Sequence, residues 1–491
     1  MLLSRSFARL MDINPLRRQS LISLASTLGL TFVGFIATMY FAHMLGKAAY
    51  GAYALFLAYY GIFSLIGDGG FGGAAVKRIS EGHEPDEYYS AFCTLRITLL
   101  IVSITALFAL RPLLVDLKAS GMIIWLFIAL IVSVFPGIIS NSIYGTGMVG
   151  INQTANLLNN IGKVLFQILA VFLGYGAAGL IGGFIAGMLV GGLICLPFLR
   201  LHLARFSLKH IKNLFTFSFW MFLSGSGVIV FSYADTILVG YFLSTADVGL
   251  YQIAFQLTAA ATFTTIALQN TLYPKISRWH AEKSIDLISL SLERAFTYSL
   301  LLAVPVTVGG WILGDRLLYF FYGADFTKGA EVLGILLLVQ VVNVFMFLLT
   351  MTLNAISQPR KSFYATGTAA FVNILLNLVL IPPLGIEGAA IATLATMLVN
   401  AIIAHHYLYR QISVHIERGP TFHILIATGV MAVVVILYRL VIPLSNAFIV
   451  LGAVVIGGLI YGLILLRIDH DIHDEIEELV VQLGVPWPKW L

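Results

Sequence analysis

The chain has 491 residues, of which 59% are hydrophobic and only 10% charged, with a mean hydropathy of +0.95. A soluble domain is about 25% charged, so the composition excludes a string of soluble domains and leaves an integral membrane protein built as one helical bundle. The net charge of +5 follows from topology and attraction to anionic lipid, and nucleic acid need not be invoked.

In chain order, residues 1–20 carry Arg5, Arg9, Arg17 and Arg18 among Phe7, Leu10 and Met11. This is the pattern of an interfacial basic helix. It is not that of a cleaved signal peptide, because the apolar run that follows is too long and lacks a small-residue cleavage site. Stretches able to cross about 30 Å of hydrocarbon then fall near 21–42, 51–75, 91–110, 120–144, 155–174, 177–199, 211–233, 237–268, 295–313, 331–353, 362–381, 387–408, 421–438 and 446–466. The pair over 211–268 is the least clean. The pattern predicts an all-α integral membrane protein of about fourteen transmembrane helices.

Even-numbered connections and both termini hold 20 of the 28 Lys and Arg residues, so the positive-inside rule puts both termini in the cytoplasm of a cell membrane. The basic connection 200–212, with Arg200, Arg205, Lys209 and Lys212, is the expected cytoplasmic link. Residues 273–294 are the expected longest inner loop, carrying a short surface helix, and 314–330 the longest outer loop. Beyond Arg467, Ile472, Ile476, Leu479, Val480 and Leu483 recur at helical spacing opposite acids, which predicts an amphipathic surface helix. Trp487 and Trp490 beyond it suit the headgroup level.

The chain also repeats itself. A shift of 198 residues places Ser20, Ser26, Gly29, Leu45, Ala48, Gly51, Tyr53 and Lys77 on Ser218, Ser224, Gly227, Leu243, Ala246, Gly249, Tyr251 and Lys275. A shift of 209 places Gly176, Gly179, Met188, Leu189 and Val190 on Gly385, Gly388, Met397, Leu398 and Val399. Each repeat holds an even number of spans, so the two are parallel repeats related by an axis along the membrane normal. The expected organisation is a six-helix lobe over 1–206, a second over 207–416, two further transmembrane helices over 417–466 and a cytoplasmic tail over 467–491, with a central cavity between the lobes.

Charges inside the bilayer are the sharpest functional signal, since each costs about 2.5–3.5 kcal/mol at a helix centre. Asn156, Asn159, Asn160, Lys163 and Gln167 form one polar stripe along the fifth span. Amides around an ammonium suit a wet cavity that receives an anion, although amides also join helices. Arg96 either snorkels to the headgroups, pairs with Asp68 or meets an anionic substrate, to which its planar fork donates two hydrogen bonds. Asp68 lies in Gly67-Asp68-Gly69-Gly70-Phe71-Gly72-Gly73, which reads as local unwinding or close helix approach. No Lys-Ser/Thr follows at the spacing of a phosphate-binding loop. Asp235 is a site for a coupling cation or a helix cap. Gln252 with Gln256 and Asn373 with Asn377, each at i and i+4, line a cavity or join helices.

Bond-making chemistry finds no support. His405 and His406 are adjacent and point apart on a helix, and His470 and His473 sit among acids in the tail. Cys93 and Cys195 are far apart and give neither a disulfide framework nor metal spacing. No nucleophile elbow or dinucleotide fingerprint occurs. Asn152-Gln153-Thr154 matches a glycosylation acceptor, but the expected topology puts it inside.

Leu45-Gly46-Lys47-Ala48-Ala49-Tyr50-Gly51-Ala52-Tyr53, with Asp68-Gly69-Gly70-Phe71 and Lys77-Arg78-Ile79-Ser80, resembles the first-hairpin signature of polysaccharide-biosynthesis flippases. These belong to the multidrug/oligosaccharidyl-lipid/polysaccharide exporter superfamily. Asp235 to Gly240, Val248-Gly249-Leu250-Tyr251 and Gly385-Ile386-Glu387-Gly388-Ala389-Ala390 resemble its second half. The resemblance implies an O-antigen-like flippase that turns a polyprenyl-phosphate-linked glycan from the inner to the outer leaflet by alternating access. It implies membrane lipids and glycan-assembly machinery as partners, and no cofactor, metal or enzymatic step. Lys163, Arg96, Asn156, Asn160 and Gln167 are then the expected substrate contacts, and Asp68, Asp235, Lys77 and Arg78 coupling or structural residues. Related readings are a multidrug/cation antiporter, disfavoured because 21–42 holds no acid, and a lipid II flippase. A membrane-embedded glycan polymerase or ligase would need a large outer loop that the sequence lacks.

Overall fold

The computed structural model describes residues 15–112, 114, 117 and 121–482. Most of the expected basic helix at the N-terminus, Lys118, Trp487 and Trp490 lie outside the described residues. The helices are α1 (Pro15–Asp68), α2 (Phe71–Ser80), α3 (Pro85–Leu110), α4 (Ile123–Gly145), α5 (Val149–Phe172), α6 (Gly176–Cys195), α7 (Leu208–Phe242), α8 (Thr245–Thr258) and α9 (Phe263–Ala281). They continue as α10 (Ile285–Tyr322), α11 (Ala330–Ala355), α12 (Pro359–Tyr409), α13 (Arg418–Val441), α14 (Ala447–Ile468) and α15 (His470–Gln482).

Ten of the helices are long and apolar enough to cross a membrane among the described residues. Two of the ten are double. A 54-residue helix such as α1 would be about 80 Å long at 1.5 Å per residue, far more than a bilayer needs. Gly46, at φ 72° and ψ 175°, breaks α1, and Gly385, at φ 65° and ψ −141°, breaks α12 just after Pro382 and Pro383. Both backbones lie where only glycine is unstrained. Counting α7 and the α8–α9 rod as well gives approximately the expected fourteen spans among the described residues.

Several boundaries differ from expectation. The second span ends at Asp68, not near residue 75, because Gly69 and Gly70 adopt φ of 56° and 76° and restart the helix as α2. The expected inner loop 273–294 is not a loop. Helix α9 runs through it to Ala281, and α10 starts at Ile285 after a tight turn with Lys283 at φ 59°. The expected outer loop 314–330 is likewise mostly helix, since α10 reaches Tyr322 and a 3-10 turn fills Ala324–Gly329. The unclean span 237–268 is two pieces, α8 and α9, joined by a 3-10 turn over Ala259–Thr262. The tail helix is present as α15, with Ile472 buried against the bundle.

Small residues bring consecutive helices together as antiparallel hairpins. Gly183, Gly187 and Gly191 on α6 lie against Gln167, Lys163 and Asn159 on α5, and an added Cβ would come 2.5, 2.7 and 3.1 Å from those residues. Gly310 and Gly314 on α10 admit Leu337 and Leu333 of α11 in the same way. Lipid offers no hydrophobic drive for helix association, so close packing of this kind does the joining. At the C-terminal end, Arg439 on α13 makes a two-pronged pair with Asp315 at 2.9 and 3.0 Å, also donates to the Ile312 carbonyl, and so fastens α13 to α10.

The end of the bundle bearing the 199–207 linker and the opposite, distal end differ. At the distal end one apolar cluster joins both halves of the chain, running from Phe41, Tyr50 and Phe56 to Leu250, Tyr322 and Leu336. Toward the linker end a smaller cluster around Phe71 and Phe92 also takes in Leu214 of α7, while a third, around Phe296, Leu348 and Ile424, lies wholly in the later part of the chain. Repeat-equivalent residues meet at the distal end. A Cβ on Gly51 would lie 1.7 Å from the Thr245 carbonyl oxygen, and one on Gly249 would lie 2.1 Å from that of Lys47. The linker itself is held by α3, with His202 N donating to Asp86 and Ala204 N to Ser90, each at 2.8 Å.

Candidate functional site

The Gly-rich break after α1 exists to seat an ion pair. Asp68 Oδ1 accepts from Arg96 Nη1 at 2.9 Å, and the same nitrogen donates to the Gly67 carbonyl at 2.8 Å. Asp68 Oδ2 also faces the Gly72 amide at the start of α2, at 3.4 Å. Both readings of the glycines are therefore realised. Gly69 and Gly70 unwind the chain, and Gly72 allows close approach, since a Cβ there would meet Asn141 at 2.9 Å. Arg96 does not snorkel; it is 5% exposed, and its buried Nε has no hydrogen-bond partner among the described residues. Its second terminal nitrogen lies where a Gly137 side chain would begin, at 2.9 Å.

Arg96 opens onto a cavity of about 240 Å³ inside the first half of the chain. Its polar lining comes from Tyr60 and Ser64 on α1, Ser133 and Ser140 on α4, and Asn156 and Asn159 on α5. One buried guanidinium, with only one carboxylate beside it, faces amides and hydroxyls. That set suits an oxyanion, since each group can donate a hydrogen bond and the low-dielectric walls strengthen the charge.

The expected stripe on α5 divides. Asn156 lines the cavity, but Asn160 and Lys163 do not. Asn160 donates to the Asn156 carbonyl at 2.9 Å and accepts from Lys163 Nζ at 3.3 Å. Lys163 is half-buried, with its stem on Gly187. Gln167 departs furthest from expectation. It is 2% exposed, and its amide donates to Tyr53 OH and the Leu180 carbonyl, both at 2.8 Å. It joins α1, α5 and α6, because the glycine ridge of α6 presses directly onto this face of α5. Lys77 and Arg78 are engaged elsewhere: Lys77 Nζ sits 4.3 Å from the ring centre of Phe217 on α7, and Arg78 pairs with Glu81 at 2.9 Å.

Asp235 is neither exposed nor a cap. It is 9% exposed, on the distal part of α7. Tyr251 OH and Thr393 Oγ1 donate to one carboxylate oxygen at 2.7 and 2.5 Å, and Asn377 and Asn373 to the other at 2.7 and 3.2 Å. The carboxylate thus gathers α7, α8 and both arms of α12. The i, i+4 pair Asn373–Asn377 is visible in the sequence, but nothing there links it to Asp235. Tyr60, Ser64, Ser133 and Ser140 carry no sequence signal at all, since isolated hydroxyls are common in transmembrane helices.

Broken double helices and a polar, cationic chamber lined from α1, α3, α4, α5 and α6 define a multi-pass membrane protein of transporter architecture. Residues 16–280 match the polysaccharide biosynthesis protein family, and the chain belongs to that family. Residues 221–379 match the MatE family. Two relatives from Haloferax volcanii are similar along nearly their whole length. One is a probable low-salt glycan biosynthesis flippase, Agl15, at 28% identity over 89% of this chain and 92% of the relative. The other is a probable flippase, AglR, at 26% identity over 95% and 98%. Among solved structures, the lipid II flippase MurJ in an inward closed conformation shares the fold with a TM-score of 0.76 at 17% identity, over 92% of this chain and 99% of that one. An inward-facing multidrug resistance MATE family transporter shares it with a TM-score of 0.65, also at 17% identity, over 78% and 94%.

Proposed function

We propose that this chain is a flippase that carries a polyprenyl-phosphate-linked oligosaccharide across the cytoplasmic membrane by alternating access, for assembly of a surface glycan. The observation that carries the reading is buried Arg96, with an unpartnered Nε, in a chamber of amides and hydroxyls. A phosphate supplies an anionic acceptor for the guanidinium, amide and hydroxyl donors of such a chamber. The names of the two Haloferax relatives support the same substrate class. In this reading residues 1–206 and 207–416 are the rocking lobes, 417–466 an appended pair, and both termini and the linker end face the cytoplasm, as the distribution of Lys and Arg favours. The apolar cluster at the distal end supports a conformation closed to the outside. Arg96 and Asn156 hold the phosphate, and Lys163 and Asn160 form a second polar step along α5. Asp235 serves first to gather helices, and its ring of hydroxyl and amide groups is the candidate for coupling.

The test is surface glycan in a deletion background complemented with variants. Arg96→Ala is expected to abolish export and Arg96→Lys to leave a small fraction, because an ammonium bonded to Gly67 and Asp68 has no counterpart of the guanidinium's second terminal nitrogen beside Gly137. Lys163→Ala is expected to weaken export and Lys163→Arg to retain it. Wild-type export by Arg96→Ala, with the protein present at normal level, would overturn the phosphate assignment. Normal export in the deletion strain would overturn the flippase reading.

A further inference from the structure

A second hollow lies on the outer face of the same lobe and has no part in the chamber just described. It is a groove of about 550 Å³ between α3, α4 and the 199–207 linker. That volume falls in the range of small-molecule pockets, about 300–1,000 Å³. Its walls are almost wholly apolar: Cys93 and Ile97 from α3, Phe135 and Ile138 from α4, Leu199 and Phe206 from the linker. Ile97 and Phe135 are 52% and 42% exposed, so the groove opens to the lipid side.

Three observations say what fills it. First, the groove and the Arg96 chamber lie back to back. Neighbouring residues of the same helices face opposite ways, with Arg96 against Ile97, Gly137 against Ile138, and Cys195 against Leu196. The partition is thin, since Gly137 has no side chain and Arg96 fills that space. Pro136 also interrupts the α4 hydrogen-bond ladder at this level. Second, the linker that floors the groove puts exposed Arg200 and Arg205 beside its apolar residues Leu199, Leu203, Ala204 and Phe206. An apolar slot whose flooring linker carries two exposed guanidinium groups is complementary to a chain with a phosphate at one end. Third, the linker does not collapse into the slot, because Asp86 and Ser90 hold its backbone amides.

We infer that this groove seats the isoprenoid tail of the lipid-linked substrate, with its phosphate end held at the rim by Arg200 and Arg205, one helix thickness from the Arg96 chamber. This rests on the flippase reading for the identity of the lipid. It makes the first lobe a loading dock: the tail stays on the membrane side of α3 and α4 while the charged portion is delivered next to the buried cation.

The experiment is photo-crosslinking with the full-length protein in vesicles, followed by peptide mapping. One probe is a polyprenyl phosphate with a diazirine in its tail; the other is a diacyl phosphatidylglycerol with a diazirine in an acyl chain. The polyprenyl probe is expected to label 93–97 and 135–139, with competition by unlabelled polyprenyl phosphate. Ile138→Trp, which fills the slot, is expected to cut that labelling about tenfold, and Arg200→Gln with Arg205→Gln to weaken it at low ionic strength. Because Ile138 faces lipid, folding of the variant is checked by its thermal transition. Equal labelling by the acyl probe, or labelling confined to other faces such as α13 and α14, would overturn the inference. Specific polyprenyl labelling elsewhere would leave the flippase reading intact, whereas no specific polyprenyl labelling anywhere would count against both.

Discussion

Gly51 provides the most direct test of how the distal end closes. A methyl there would lie 1.7 Å from the Thr245 carbonyl oxygen, 2.6 Å from the Gly249 amide nitrogen and 2.8 Å from the Thr245 carbonyl carbon. All three are backbone atoms, so no side chain can swing aside, and the second arm of α1 must part from the start of α8. Overpacking of a close contact costs about 1–3 kcal/mol. The whole cost falls on the conformation in which these segments touch and none on one in which they are apart. Gly51→Ala therefore shifts the balance between distal-closed and distal-open states by roughly 5- to 150-fold. Gly249→Ala, with its methyl 2.1 Å from the Lys47 carbonyl oxygen, parts the same two segments. The double variant is thus expected to cost little more than either single one, a failure of additivity that independent sites would not show. Spin labels at Met44 and Tyr241, both exposed near the distal end, in a background without Cys93 and Cys195, read the separation directly. Unchanged distance distributions and full export in Gly51→Ala would refute the reasoning, as would strictly additive effects in the double variant.

Three further outcomes follow from the packing. Asp235→Ala leaves four buried donors without their acceptor, at about 1–3 kcal/mol for each that stays unpaired. The variant is expected to lose several degrees or more of thermal stability in detergent, with Asp235→Asn losing less. Equal stability of Asp235→Ala and wild type would show that the gathered helices do not depend on the carboxylate. Gly187→Leu drives a side chain into the Lys163 stem, 2.7 Å from the glycine's Cβ position, and is expected to lower both the thermal transition and export. The exposed Gly458 on α14, with nothing within 4 Å, is the control that a leucine leaves unaffected. Arg439→Ala removes a two-pronged pair whose side chains are 37% and 36% exposed. Solvent screening limits the cost to about 1 kcal/mol, visible as a small drop in the thermal transition that high salt partly reproduces in the wild type.

The hydropathy pattern made the helices legible because lipid forces backbone groups to pair within each segment. The arms on either side of Gly46 and Gly385 were legible for the same reason, as separate spans, but that each pair runs on through a single glycine was not. The extensions of α9 and α10 beyond the bilayer were not, because charge marks departure from lipid and not departure from helix. At the site, Arg96 and Asp68 stood out as charges in apolar surroundings, and their pairing was among the expected alternatives. Gln167 misled because a polar stripe at helical spacing looks the same whether it lines a cavity or meets a glycine ridge. The face opposite it, Gly183, Gly187 and Gly191, is what decides. The Asp235 cluster unites residues up to 158 positions apart, a distance over which spacing along one helix carries no information.

The distal contact has a symmetry of its own. Lys47 and Gly51 correspond by the 198-residue shift to Thr245 and Gly249, and the contacts run crosswise, Gly51 to Thr245 and Gly249 to Lys47. Crosswise pairing of equivalent residues is the signature of an isologous interface, the kind that two copies of one subunit make around a two-fold axis. The distal contact is therefore built as a pseudo-two-fold interface between equivalent segments of one chain. The halves differ away from it, one with a buried arginine and the other with a buried aspartate, while the glycines at the contact match.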